Sequence, residues 1–183
     1  MLIILDRDGV INEYDGSYIC CADDWIPLPG SIDAIARLCN AGHRIAIATN
    51  QSGIARGYYG TDELDAMHDK LEALVEQQGG CIDIITFCPH HPDEGCDCRK
   101  PMTGLLEQIR DHYHLPSLHG AIMVGDSRKD LEAALAAGCQ AVLVRTGNGP
   151  ETEQHLNERP LPGVRVFDNL SSFADRILLP GGW

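Results

Sequence analysis

Short apolar runs alternate along this chain with segments whose apolar residues recur every three or four positions. Leu2–Leu5 is the first run; Arg44–Thr49, Ile82–Phe87, Ala121–Val124, Ala141–Val144 and Val164–Phe167 follow. Runs of this length, bounded by turn residues, suit strands of a parallel sheet that is covered on both faces. Between them the helical period takes over. It predicts helices over 31–41 (Ile32, Ile35, Ala36, Cys39), 61–78 (Leu64, Met67, His68, Leu71, Leu74, Val75) and 103–113 (Leu105, Leu106, Ile109, Tyr113). A further helix runs through Leu131, Ala134 and Leu135 to Gly138, and shorter ones cover 151–157 and 171–177. Ser31 and Thr61 are the expected N-caps, and Gly42 and Gly79–Gly80 the expected stops. His68 lies in an apolar stripe and reads as a packed histidine rather than a ligand. Pro180–Trp183 is an expected tail. Strand–helix alternation predicts an α/β chain with a parallel sheet between two helical layers, and 183 residues suit a single domain, 1–183.

Composition narrows the partners. The formal charge of −13, from 14 basic and 27 acidic residues, argues against a sequence-independent grip on nucleic acid and against an anionic membrane surface. It leaves room for a small anionic substrate held by a few concentrated cations. No apolar stretch approaches the roughly 20 residues needed to cross a bilayer. The first residues enter a strand directly, with no signal-peptide pattern, so a cytoplasmic location is expected. In a reducing compartment eight cysteines imply metal ligands or buried thiols rather than a disulfide frame. Nothing in the sequence demands a dimer, and a monomer is expected.

The chemistry collects after the strands. Asp6 and Asp8 follow Leu2–Leu5 with one residue between them, so both face the same way at the carboxyl end of a buried strand. Two close carboxylates need a cation between them or a shared proton. Thr49–Asn50–Gln51–Ser52 ends the second strand with groups that bind phosphate or sugar without adding charge. After the third strand come Cys88, His90, His91, Cys96 and Cys98, within eleven residues, in a loop of prolines and acids that offers no core to bury thiols. Cys88, His90, Cys96 and Cys98 make a Cys₃His set for a structural Zn²⁺ in a loop spanning 88–98, with His91 the competing histidine. Arg99 and Lys100 follow the last ligand, so the metal would stiffen the loop and aim two cations. Asp126 and Asp130 end the fourth strand, four residues apart and facing one side as a helix begins. On one rim these groups supply Mg²⁺ ligands, a nucleophile and phosphate-binding cations, the inventory for phosphoryl transfer to a carboxylate followed by hydrolysis.

Four segments, Asp6-Arg7-Asp8-Gly9-Val10, Thr49-Asn50, Lys100 and Gly125-Asp126-Ser127-Arg128-Lys129-Asp130, resemble the motifs of the haloacid dehalogenase-like phosphatase superfamily. Within it, LDRDGVIN, ATNQSGIARG, CPHH with CDCRKP, and MVGDS resemble the heptose bisphosphate phosphatases and the related histidinol-phosphatase domains, over roughly residues 2–146. The resemblance implies a Rossmann-like, doubly wound parallel sheet. It implies Asp6 as nucleophile, Asp8 as general acid and base, and Lys100 and Thr49 as stabilisers of the phosphoryl oxygens. Mg²⁺ would be held by Asp6, the Asp8 backbone carbonyl and Asp126, with Asp130 orienting Lys100 or a metal-bound water. Arg7, Asn50, Gln51, Ser52, Arg99, Ser127 and the loop Tyr14, Asp15, Gly16, Ser17 would contact a phosphosugar and its second phosphate. No large cap domain fits between the motifs, so the zinc loop is the expected lid over an open site. The implied reaction is removal of the 7-phosphate of D-glycero-D-manno-heptose 1,7-bisphosphate, for lipopolysaccharide or another glycan. Histidinol-phosphate hydrolysis is the nearest alternative. A nucleic-acid 3′-phosphatase is disfavoured by the acidic charge and by the lack of a P-loop, and a catalytically dead zinc-stabilised binding protein by the filled catalytic positions.

Overall fold

The computed structural model describes residues 1–182; Trp183, the end of the expected tail, lies outside the described residues. Six strands make one sheet: β1 (Leu2–Leu5), β2 (Arg44–Asn50), β3 (Ile84–Cys88), β4 (Ile122–Gly125), β5 (Gln140–Val144) and β6 (Arg165–Phe167). Their order is β3-β2-β1-β4-β5-β6, and every neighbouring pair is parallel. The chain steps outward from β1 to β3, then returns to place β4 on the other side of β1. This reversal leaves a crevice beyond the carboxyl ends of β1 and β4, where open α/β sheets bind their ligands. Asp6 and Asp126 are the first residues past those two strands, and the Asp6 N–H donates to Val124 O at 2.9 Å.

Alternation along the strands feeds two cores. Ile3, Leu5, Ile45, Ile47, Ile122 and Val124 pack with Trp25 against α1 (Ser31–Asn40), α2 (Thr61–Gln77) and α6 (Leu170–Leu178). Leu2, Ile4, Ala46, Ala48 and Met123 pack against α3 (Gly104–His112) and α4 (Arg128–Ala136), and Leu156 of α5 (Gly149–Glu158) joins them. Only α1 stands between Asp8 and Thr49, and only α2, β3 and the zinc loop between Thr49 and Lys100, so among the described residues no cap domain covers the crevice.

Three local expectations are corrected. Ser31 and Thr61 are not N-caps; Gly30 and Gly60 hold those positions. Gly30 has φ +76°, which lets the chain turn sharply into α1, and the Ser31 hydroxyl instead donates to the buried carbonyls of Ile11 (2.6 Å) and Leu28 (2.8 Å). The Gly60 N–H is met by the Glu63 carboxylate at 2.8 Å, and Thr61 is the first residue of the helix itself. β3 starts at Ile84 rather than Ile82 and runs on to Cys88, which pairs with Asn50 and brings the first cysteine of the loop to the rim of the crevice.

Candidate active site

The tip of β1 sets the first two acids. Beyond it the chain turns tightly, with the amides of Val10, Ile11 and Asn12 converging on the Arg7 carbonyl. Gly9, at φ +82°, makes the turn possible, and a Cβ there would lie 2.1 Å from Asp126 Oδ2. Gly147, in the loop after β5, approaches from the other side; its Cβ would lie 2.3 Å from the same oxygen. Asp126 is therefore wedged between two glycines. The Asn148 backbone and side-chain N–H groups donate to its Oδ2 at 2.8 and 3.0 Å, which leaves Oδ1 for another partner.

Lys100 sits at the centre of the acids. Its Nζ is 2.8 Å from Asp6 Oδ1 and 2.6 Å from Asp130 Oδ1, and it donates to the Ala48 carbonyl at 2.7 Å. Asp130 Oδ2 is taken by the N–H and hydroxyl of Ser127, at 3.0 and 2.7 Å. Asp6 Oδ1 also receives the Arg7 N–H at 2.8 Å, so Asp6 Oδ2 remains free. One ammonium thus faces three buried carboxylates, Asp6, Asp126 and Asp130, whose oxygens lie within 4.8 Å of one another. Burial pushes the Asp6 carboxyl up to about 7, with Asp130 adding to the effect and Lys100 opposing it. Burial, then Asp130 and Asp6, push Asp126 up to about 8. Burial also works against the charge on Lys100, but Asp130 and Asp6 outweigh it and hold the ammonium above the ordinary lysine range. Lys100 cannot balance the acids alone. A hard divalent cation on the free oxygens of Asp6 and Asp126 would, so the donor set fits Mg²⁺.

Asp8 is set differently. Its Oδ1 receives Arg7 Nε at 2.9 Å and Asn12 Nδ2 at 3.0 Å, and its Oδ2 receives Arg7 Nη2 at 3.2 Å and Gln51 Nε2 at 3.0 Å. Burial pushes this carboxyl up, but Arg7, Asn12 and Gln51 together hold it below the usual range. Gln51 Nε2 also donates to Thr49 Oγ1 at 2.8 Å, and its carbonyl accepts from the Tyr59 hydroxyl. The Thr49 oxygen is therefore an acceptor towards Gln51, and its own proton is free to donate elsewhere.

A cavity of about 520 Å³ opens over these groups, within the range for small-molecule sites. Asp6, Asp8, Tyr14, Ser17, Thr49, Asn50, Gln51, Ser52, Arg99, Lys100, Asp126, Ser127 and Asp130 line it. Arg7, Asp15 and Gly16, expected to contact substrate, do not. Arg7 is fully buried and its side chain is committed to Asp8; Asp15 turns back to accept the Ser17 N–H at 2.9 Å. Asn50 and Gln51 reach the cavity wall but support their neighbours. The Asn50 amide brackets the backbone of Lys100, donating to its carbonyl and accepting from its N–H, both at 3.1 Å. Sequence reasoning missed Asn148, Tyr18, Arg56, Tyr59 and Lys129. Arg56 and Lys129 lay inside the motifs ATNQSGIARG and Gly125–Asp130, and Asn148 sits between Gly147 and Gly149 just past the carboxyl end of β5.

The zinc loop assembles as a four-donor cage. Cys88, His90, Cys96 and Cys98 offer Sγ and Nδ1 atoms that lie within 4.8 Å of one another. Their separations are 3.5 Å (Cys88–His90), 3.6 Å (Cys88–Cys96), 3.6 Å (Cys96–Cys98) and 3.2 Å (His90–Cys98). A tetrahedral Zn²⁺ with thiolate and imidazole ligands has edges of about 3.5–3.8 Å, so the four donors fit the ion. His91 points elsewhere and accepts the Asp93 N–H at 3.2 Å. Burial pushes the Cys88 and Cys98 thiols up; the Arg99 N–H and the neighbouring thiols outweigh burial at Cys96 and bring it to about 7. Three thiolates this close require a cation among them.

A doubly wound sheet with this carboxylate pair, lysine and second acid loop at its switch point defines a hydrolase of the haloacid dehalogenase-like class. The HAD-hydrolase-like family model matches residues 97–173. The chain is 54% identical to D-glycero-beta-D-manno-heptose-1,7-bisphosphate 7-phosphatase of Pseudomonas putida, over 97% of this chain and 99% of that protein. It is 55% identical to the protein of the same name from Pseudomonas aeruginosa, over 97% of each. The crystal structure of D,D-heptose 1,7-bisphosphate phosphatase from B. bronchiseptica, complexed with magnesium and phosphate, matches it with a TM-score of 0.91 at 48% identity, covering 97% of both chains. The chain belongs to the D-glycero-beta-D-manno-heptose-1,7-bisphosphate 7-phosphatase family.

Proposed function

We propose that this chain hydrolyses the 7-phosphate of D-glycero-β-D-manno-heptose 1,7-bisphosphate, with Asp6 as the nucleophile. The observation that carries the reading is the Asp6–Lys100–Asp130 chain of contacts beside Asp126, at the switch point of the sheet. The free oxygen of Asp6 attacks phosphorus, and the bond from phosphorus to the sugar oxygen breaks. Asp8 gives its proton to the leaving alkoxide; an anionic phosphate entering beside Asp8 raises its proton affinity enough for that role. Asp8 then takes a proton from water as the water oxygen attacks the aspartyl-phosphate, and inorganic phosphate leaves with Asp6 restored. Lys100 and the Thr49 hydroxyl neutralise the phosphoryl oxygens. Magnesium, held by Asp6, the Asp8 carbonyl and Asp126, supplies Lewis-acid charge neutralisation when bound. Zinc on Cys88, His90, Cys96 and Cys98 braces the loop that carries Arg99 and Lys100.

Arg99 is assigned to the second phosphate. It lines the cavity, and its Nη1 is buried without a partner, which a phosphate oxygen would satisfy. Tyr14, Ser17 and Ser52 offer hydroxyls to the sugar, and the Ser127 oxygen, its proton given to Asp130, offers an acceptor. The chain acts as one domain, as a monomer, in the cytoplasm. None of its eight cysteines forms a disulfide, and no helix among the described residues is long and apolar enough to cross a membrane.

Phosphate release from both heptose bisphosphate anomers and from histidinol phosphate tests the reading. The expected order is the β-anomer first, with no turnover in Asp6→Asn. A higher kcat/KM on histidinol phosphate would overturn the substrate, and an active Asp6→Asn would overturn the mechanism.

A further inference from the structure

The buried guanidinium of Arg7 must satisfy every nitrogen without water. Nε and Nη2 go to the two oxygens of Asp8, while Nη1 meets His68 Nε2 at 3.3 Å and the Met67 sulfur at 4.0 Å. A guanidinium only donates, so His68 Nε2 must be the acceptor, and the ring proton therefore sits on Nδ1. His68 is itself only 8% exposed, in the apolar stripe of α2 and with Phe87 beside it. Burial, and then the charge on Arg7, hold its pKa down at about 3, which keeps the ring in the neutral form an acceptor requires. Sulfur is a weak acceptor, so the imidazole is the strong partner for Nη1.

Arginine can grip a carboxylate by its Nε–Nη2 side or by its Nη1–Nη2 end, and the two grips place the carboxylate differently. With Nη1 held by His68, the side grip is the one left. We infer that His68 is a positioning residue for the hydrolysis: its neutral ring fixes the Arg7 guanidinium, and Arg7 in turn fixes the Asp8 carboxylate against the cavity. This rests on Asp8 as the proton-transfer group. It also accounts for a polar ring in an otherwise apolar helix face.

Two measurements test it. In ¹⁵N-histidine spectra of the whole chain at pH 7, His68 is expected with a bare Nε2 and a protonated Nδ1; a protonated Nε2 would overturn the inference. In kinetics, His68→Leu is expected to lower kcat by about 10- to 100-fold, the scale of a misplaced catalytic group, with KM changed by no more than about twofold. His68→Gln, which offers an acceptor in place of Nε2, is expected to recover most of that loss. A fully active His68→Leu, or Leu and Gln variants equally impaired, would overturn it. Asp8→Asn separates the two readings. If that variant stays active, the role of Asp8 fails and takes this inference with it. If it is dead while His68→Leu is fully active, only the inference fails.

Discussion

The Nζ of Lys100 stands 2.8 Å from Oδ1 of Asp6; the ammonium is buried, and the Asp6 carboxylate keeps a small exposed edge towards the cavity. The contact comes from distant segments: Asp6 ends β1, and Lys100 follows the zinc loop. Asn50 ties them together by bracketing the Lys100 backbone from the end of β2. Lys100→Met removes the only cation that touches both Asp6 and Asp130 among the described residues. Breaking one side of a buried pair costs about 3–5 kcal/mol, and losing one preorganised charge stabiliser costs about 10²–10³ in kcat. A urea melt and initial rates check the two losses. A variant within tenfold of the parent rate would remove Lys100 from the reaction.

Magnesium should bind more tightly as pH rises, and it should release protons as it binds. Without the ion, burial and neighbouring acids push Asp6 to about 7 and Asp126 to about 8, above the ordinary carboxylate value. A raised folded-state pKa stabilises the fold at low pH, and that contribution is lost as pH climbs through the folded value. The metal-free protein should therefore lose stability between about pH 4 and pH 8. The ion binds the ionised acids, so the rise in Tm on adding Mg²⁺ should be larger at pH 8 than at pH 6. Thermal melts in EDTA and in Mg²⁺ across this range check both signs, and an equal or larger Mg²⁺ shift at pH 6 contradicts the assignment.

Removing zinc should unsettle Lys100 while leaving the residues that would hold Mg²⁺ in the chain. Cys98 is two residues from Lys100, and the Gly104 N–H returns to the Asp97 carbonyl at 3.0 Å, so the cage and the start of α3 form one support. Cys96→Ser should lose bound zinc, melt at lower temperature and lose activity. Metal analysis paired with kinetics reads this out. Full activity in a zinc-free variant would leave the cage with no part in aiming Lys100.

What the sequence made legible was the part governed by local rules. Alternation placed Asp6 and Asp8 together, and it equally turns the residue between them, Arg7, away from the cavity; the family likeness had assigned Arg7 to substrate. The four zinc donors stood out because a proline- and acid-rich loop has no other use for three cysteines. The misses are contacts that tertiary packing decides. Asn148 reaches Asp126 only because β5 lies next to β4. His68 looked like core from its helical stripe, and its partner, Arg7, is 61 residues away in the chain. No local period reports such a contact.

The two glycines that flank Asp126 offer a test of the metal site that leaves every ligand in place. A Cβ on Gly9 or Gly147 would approach Asp126 Oδ2 to 2.1 or 2.3 Å, closer than any non-bonded contact allows. Both glycines also have positive φ, +82° and +55°, so an alanine carries backbone strain as well. Asp126 would have to move, and with it the oxygen left free for the ion once Asn148 holds Oδ2. Disturbing a group that orients a metal ligand costs about 10- to 100-fold in metal affinity or activity. Gly147→Ala lies outside the Asp6–Asp8 turn in the chain, although its Cβ would also come within 2.6 Å of Gly9 Cα and so press on that turn as well as on Asp126. Its activity should need more Mg²⁺ by a factor in that range and should recover in part at saturating metal. Loss of activity with an unchanged Mg²⁺ requirement would mean that the two glycines shape the cavity wall rather than the seat of the ion.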